Sequence, residues 1–286
     1  FTAMKILQGQ SGILWSAPNF VYDGDPRDIV PNDTRYAEQY HHPLMKNNLA
    51  WDLTQGSASI IVAVTDDGCE LTHSDLAANI WVNPGEIAGD GIDNDNNGFI
   101  DDVNGWDFSF NNNNPNPNVT SDSHGTHVCG ISAARINNNN GVAGVAGLST
   151  IMPVQFYGTG GASWTAALNA QSFAYAVDNG AKVINTSYNI DGFANDPVFV
   201  AGVQYVLDAG ALHFNSAGNN SQLNPARQAV TQTILVASTD ASDIRSSFSN
   251  YGIGVDVSAP GSSILSSVVG NTYDFYSGTS MATPNA

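Results

Sequence analysis

Residues 59–68 read SIIVAVTDDG. The run is apolar and β-branched, too short for a helix, and it stops abruptly at two carboxylates and a glycine. Such a run, bounded by turn residues, reads as a strand buried on both faces, the condition of strands in a parallel sheet. The same signature recurs in IMPVQF (151–156), AKVINTS (181–187), ALHFNSA (211–217) and TILVAS (233–238). Between these runs, TAALNAQSFAYAVDNG (165–180) and DPVFVAGVQYVLDAG (196–210) carry apolar residues at helical spacing. They finish in Gly180 and Gly210, suited to helix C-caps. Strands alternating with helices predict an α/β fold with a mainly parallel central sheet and helices on both faces. Open α/β sheets hold ligands at the carboxyl ends of their strands. Asp66 closes the first run and Asn219 follows the fourth, so both are expected there.

Two further motifs carry chemistry: HGTHVCG (124–130) and SGTSMATP (277–284). With AVTDDG (63–68) they place Asp66, His124 and Ser280 in the order Asp, His, Ser, one of the chain orders in which a hydrolytic triad occurs. A serine hydroxyl is a poor nucleophile near neutral pH. It needs a histidine to take its proton and a carboxylate to hold that histidine's tautomer. Taken singly each motif has an ordinary reading: DDG as a turn or calcium loop, GTS as a surface loop, HGTH as a metal-binding helix face. Their conjunction in a permitted order is the signal.

These segments resemble the subtilisin-like serine proteases (subtilases, peptidase S8), from about Pro31 to the last residue, and in particular the bacterial secreted type with a calcium-loop insert. The resemblance implies a three-layer fold and a secreted serine endopeptidase that forms an acyl-enzyme on Ser280, with His124 as general base and Asp66 as orienting carboxylate. It places Asn219, in NSAGNN (215–220), as the oxyanion-hole amide beside the Ser280 backbone N–H. Thr279 would support that amide, and His127 becomes a structural neighbour of the base. Substrate would lie as an added strand between two edges. One contains Ser187, Tyr188 and Asn189, with Gly218 close by; the other contains Gly160 and Gly161 in GTGGASW (158–164). The family usually has two glycines where this chain has Asn189 and Ile190. It usually has Ser or Thr where this chain has Asp67; the DDG form is similar to the kexin and furin branch, but dibasic cleavage is not inferred from it.

The stretch GDGIDNDNNGFIDDVNGWDF (89–108) spaces Asp93, Asp95 and Asn97 alternately, with Gly98 for a sharp turn and Phe99 to offer a carbonyl. Hard cations such as calcium take oxygens at this spacing. Asn104 stands where an EF-hand has Glu, so Asp101 or Asp102 must close the shell, and Asp102 is expected to; the plain alternative is a solvated acidic turn. A second calcium site follows from the resemblance alone. It would join Asp75 to INNNNGV (136–142), with a side-chain oxygen from Asn138 and carbonyls from Ile136, Asn140 and Val142. Otherwise Asp75 is a turn cap.

With 286 residues and 42% hydrophobic content the chain can bury a substantial core. One catalytic domain is expected over 31–286. Residues 1–30, containing ILWSAPNFVYDGDP (13–26), read as a propeptide remnant and linker, or else as an N-terminal extension. The family's propeptide acts as inhibitor and folding chaperone. The family also continues well past the serine motif, so a C-terminally truncated fragment is expected. Eight basic residues against 26 acidic give a formal charge of −18, which argues against nucleic acid or an anionic membrane as partner. A protein or peptide substrate and a monomeric, extracellular enzyme fit better. Cys69 and Cys129 follow the Asp66 and His124 motifs; a disulfide and two buried thiols both remain open. A catalytically idle subtilase-fold binding or surface protein is the alternative function. An α/β-hydrolase esterase is not, since its nucleophile precedes its acid and histidine.

Overall fold

The computed structural model describes residues 28–286. The expected propeptide remnant therefore lies almost wholly outside the described residues. Seven parallel strands form one sheet: β1 (Ile61–Asp66), β2 (Trp106–Asp107), β3 (Thr150–Gln155), β4 (Val183–Thr186), β5 (Leu212–Ser216), β6 (Ile234–Thr239) and β7 (Val257–Pro260). Their order is β2-β3-β1-β4-β5-β6-β7, which puts β1 between β3 and β4 in the interior of the sheet. A separate antiparallel hairpin pairs β8 (Ile264–Val268) with β9 (Thr272–Tyr276). The α-helices are α1 (His41–Met45), α2 (Asn47–Ala50), α3 (His124–Ala133), α4 (Ala166–Asp178), α5 (Pro197–Asp208) and α6 (Thr279–Ala282).

Period-two alternation along β1 explains the three layers. Ala63 turns to the core that holds Phe173 of α4 and Phe199 of α5. Val62 and Val64 turn to the opposite core, with Val128 and Ile131 of α3 and Met281 of α6. Both faces are covered, so the strand is apolar over residues 61–64. Phe173, Phe199 and Ile131 are at most 1% exposed, and each contributes roughly 2–3 kcal/mol by burial. Helix ends follow local chemistry. Thr165 Oγ1 accepts from the Leu168 N–H at the start of α4, and Asp196 accepts from Val198 and Phe199 at the start of α5, where Pro197 opens the helix.

The sequence runs locate β1 and β3 to β6 within two residues, and both long helices. Strands β2 and β7 are too short or too polar to declare themselves, and the β8–β9 hairpin has no apolar alternation on its second strand, where Thr272, Asp274 and Phe275 are exposed. Among the described residues no helix is long and apolar enough to cross a membrane.

Candidate active site

Asp66 ends β1, and its Oδ1 lies 2.8 Å from His124 Nδ1 at the first position of α3. That contact fixes the tautomer: with the proton on Nδ1, Nε2 keeps its lone pair. The helix is delivered to Asp66 by Asp67, whose two carboxylate oxygens accept the His124 N–H (3.2 Å) and the Gly125 N–H (2.6 Å). Ser123, the residue before the helix, makes no such cap. The approach is close enough to require glycine: a Cβ at Gly125 would stand 2.3 Å from the Gly68 carbonyl oxygen. Burial alone would lower the His124 pKa, but the charge and hydrogen bond of Asp66, with Asp67 behind it, reverse the sign and raise it above the ordinary histidine value. Burial, and then the charge of Asp66, raises the pKa of Asp67, partly offset by His124 and the two amides it caps.

Ser280 is the second residue of α6, where a backbone N–H has no intrahelical acceptor. Its Oγ donates to the Ser187 carbonyl at 2.7 Å, and Ser187 Oγ donates back to the Ser280 carbonyl at 2.9 Å. This reciprocal clamp ties α6 to the end of β4. Ser280 makes no hydrogen bond to His124 among the described residues, so Asp66 and His124 are joined directly while the nucleophile rests on Ser187. The Asn219 side chain is oriented through its oxygen: Oδ1 accepts from both the N–H and the hydroxyl of Thr279, each at 2.9 Å, which leaves its NH2 group for other acceptors. Thr279 Oγ1 in turn accepts from the Gly218 N–H at 3.0 Å.

Ser187, Tyr188, Asn189, Gly218, Asn219 and Ser280 share one cavity of about 170 Å³. Tyr188 gives it little side chain, because its hydroxyl donates to Asn169 Oδ1 at 2.7 Å and its ring is 5% exposed. Arg227, which sequence reasoning missed, also lines the cavity. Its guanidinium is 3% exposed and donates to both oxygens of Asp191, to Asn189 Oδ1 and to the Ser216 carbonyl. A single Arg in a polar loop gives no sequence signal of this burial. Gly160 and Gly161 lie apart from the cavity, in the turn after β3 beside Ser109 and Phe110. The turn leads to Trp164, whose ring lies 4.8 Å from Tyr157 and 5.6 Å from Tyr188.

In the acidic loop, carboxylate oxygens of Glu86, Asp95 and Asp102 all lie within 4.8 Å of one another. Asp95 and Asp102 were expected; Glu86 precedes the alternating run and was not. Asp93 instead accepts from the N–H groups of Asn97 and Gly98, and Asn97 Oδ1 accepts from the Phe99 N–H. The side-chain oxygens of Asp93 and Asn97 accept from the loop's own amides, as do those of Glu86 and Asp95, while the Phe99 ring packs against Trp106, Phe108 and Tyr175. Asp102 is buried, and burial raises its pKa against hydrogen bonds from Tyr175, Asn83 and Asn97. Three hard oxygen donors whose hydrogen bonds come from amides and one phenol suit a divalent cation such as calcium. At the other expected site, Asp75 Oδ1 accepts from the side-chain amides of Asn138 (2.7 Å) and Asn140 (3.1 Å), and Oδ2 from the Val142 N–H. Asn138 turns its nitrogen, not its oxygen, toward Asp75, and its Oδ1 accepts from the Asn140 N–H. The loop is closed by protein donors.

Cys69 and Cys129 are free, buried thiols, which decides between the two readings of the pair. His127 Nε2 faces the carbonyls of Ile264 and Asp274, and its ring stacks on Tyr276 at 4.3 Å, anchoring the β8–β9 hairpin to α3. Burial lowers its pKa to about 3, so it is a neutral packing residue.

Residues 57–286 match the Subtilase family, peptidase S8. The chain is 34% identical to a thermophilic serine proteinase of Bacillus sp. strain AK1 over 99% of its own length and 63% of that protein. It is 37% identical to thermitase of Thermoactinomyces vulgaris, over 90% of its length and 82% of thermitase. It is 36% identical to an extracellular protease of Xanthomonas campestris, over 90% of its length and 48% of that protein. A solved structure of proteases from Pseudoalteromonas arctica superposes with a TM-score of 0.66 at 28% identity, covering 89% of this chain and 84% of that one. The chain thus spans less than two thirds of the Bacillus and Xanthomonas relatives.

Proposed function

The chain belongs to the subtilase family of serine endopeptidases, and we propose that it hydrolyses peptide bonds through an acyl-enzyme on Ser280. The observation that carries this is the 2.8 Å Asp66–His124 contact at the strand end, with Ser280 and an oriented Asn219 lining one cavity. In the reaction, Ser280 Oγ leaves the Ser187 carbonyl and gives its proton to His124 Nε2 as it attacks the scissile carbonyl. The hydroxyl turns toward the base by rotation about its side-chain bond. The new oxyanion accepts from the Asn219 amide and the Ser280 backbone N–H. His124 then hands its proton to the leaving amine, and water repeats the sequence to release the acid. Asp66 holds the ring in place and stabilises the imidazolium.

Ser187, Tyr188, Asn189 and Gly218 form one wall for substrate, with Arg227 and Asp191 behind it, and Gly160 and Gly161 belong to the second edge. Glu86, Asp95 and Asp102 would hold calcium, which would offset most of the charge of three facing carboxylates and stabilise the loop. Asp93, Asn97 and Phe99 shape that loop, and Asp75 with Asn138 acts as a loop closure. The likeness to an extracellular protease of Xanthomonas campestris supports secretion, and we assign the enzyme to the extracellular space as a monomer made with an inhibitory propeptide. The test is digestion of denatured casein with calcium present. New N-termini that disappear in Ser280→Ala are expected; equal cleavage by both proteins would refute the assignment.

A further inference from the structure

The Tyr157 hydroxyl donates a 2.8 Å hydrogen bond to Asp66 Oδ1. That oxygen also faces His124 Nδ1 at 2.8 Å and accepts the Asp67 N–H at 2.8 Å, while Asp66 Oδ2 is buried with no protein partner among the described residues. The placement follows from the sheet. Parallel pairing sets Asp66 opposite Gln155, and the Phe156 N–H donates to the Asp66 carbonyl, so the second residue past β3 arrives beside the catalytic carboxylate. The ring cannot drift from this position, since it is edged by Phe156 at 4.8 Å, Trp164 at 4.8 Å and Tyr188 at 6.1 Å.

We propose that Tyr157 is a positioning residue of the catalytic pair: its hydroxyl orients the Asp66 carboxylate and competes with the His124 Nδ1–H for Oδ1, thereby setting the proton affinity of the base. The proposal rests on the serine-endopeptidase reading. A phenol can serve here because burial, and then the charges of Asp66 and Asp67, push its pKa well above the ordinary value, so it stays a donor throughout turnover. A carboxylate oxygen shared among three donors gives less to each of them. Removing the phenol concentrates its charge on the imidazolium and strengthens the Asp66–His124 bond. The other titratable groups around the pair are Asp67 at the end of β1, Cys69 just after it, His127 and Cys129 on α3, and Tyr188 past β4. Tyr157→Phe leaves all of them in place.

The expected result for Tyr157→Phe is a kcat lower by about tenfold, the size of one hydrogen bond to a charged group, with KM within about twofold. The acid limb of kcat/KM should move up by about half a pH unit, because the base holds its proton more tightly. A substrate-independent readout accompanies it: the low-field proton NMR signal of His124 Nδ1–H should move further downfield in the variant. Fluorotyrosine at position 157, a stronger donor of nearly the same shape, should shift the limb and the signal the opposite way. It also keeps the test open if Tyr157→Phe fails to fold. An acid limb and a low-field signal that coincide with wild type in both variants would overturn the proposal, whatever happens to kcat, because packing alone would then be the role. Wild-type protein that does not cleave casein at all would instead overturn the endopeptidase reading.

Discussion

The acidic side chains at the end of β1 and those in the loop of residues 86–102 are balanced differently. At the end of β1, the charge of Asp66 is met by His124, Tyr157 and a backbone N–H, and that of Asp67 by the start of α3. In the loop of residues 86–102, three carboxylates converge and are held only by amides and one phenol. The first cluster has its countercharge built in and is suited to moving a proton. The second has none among these partners and is suited to an added cation. The difference is one of donors: an imidazole that accepts and releases a proton does chemistry, whereas neutral amides can only orient.

Breaking the first cluster should have the largest effect. Ser280→Ala or His124→Ala should lower kcat by about a millionfold, a magnitude measured on another subtilase, with Tm within a few degrees. Progress curves on a peptide substrate alongside thermal scans check both halves. Asn219→Ala comes next, with a loss of about 100- to 1000-fold in kcat and little change in KM, since its amide is needed only once the oxyanion develops. A KM increase equal to the kcat loss would instead make Asn219 a ground-state binding residue.

Acid should act on stability chiefly through the buried histidines. Burial lowers the pKa of His42 to about 4 and those of His127 and His213 to about 3, and lowers that of His41 as well. Below about pH 6.5 the unfolded chain binds protons that these four refuse, so stability falls with pH, by up to about 1.4 kcal/mol per unit for each. The buried carboxylates Asp33, Asp67, Asp102 and Asp107 have raised pKa values and act in the opposite direction as pH falls, a partial offset. His124, raised in the fold, adds stability that is complete below about pH 6.5 and is lost as pH rises through its folded value. Urea midpoints of the Ser280→Ala protein from pH 7 to pH 5 should therefore decrease; a flat profile would contradict these burial assignments.

The smallest effect belongs to the loop. Calcium at about 100 times its Kd should stabilise the Ser280→Ala protein by about 3 kcal/mol, seen as a Tm several degrees higher than in chelator. Asp102→Asn should abolish that response without touching the Asp66–His124 geometry. The calcium effect should weaken on acidification, because Asp102 must lose its proton to bind. If Asp75→Asn abolished the response and Asp102→Asn did not, the cation would belong at the other loop.

The candidate cluster around Asp66 was legible because its residues sit in glycine-marked motifs at strand and helix ends, where local chain geometry and chemistry coincide. Asp66, His124, Asn219 and Ser280 all lie within such motifs. Tyr157 was not legible, because its role depends on the β1–β3 register, which no local pattern states. The loop was half legible. Alternation marked Asp95 and the missing terminal Glu pointed to Asp102, but which oxygens converge depends on how the loop folds, and Glu86 enters from outside the pattern. Arg227 and its pairing with Asp191 depend on β4, β5 and their loops converging, which composition does not encode.

The central claim is that Ser280 is an activated nucleophile. Reaction of the calcium-loaded protein with a fluorophosphonate probe, followed by peptide mapping, tests it most directly. One covalent adduct per chain is expected, located on Ser280 and absent from both Ser280→Ala and His124→Ala. A folded protein that takes up no probe, or that is modified equally well without His124, would contradict it.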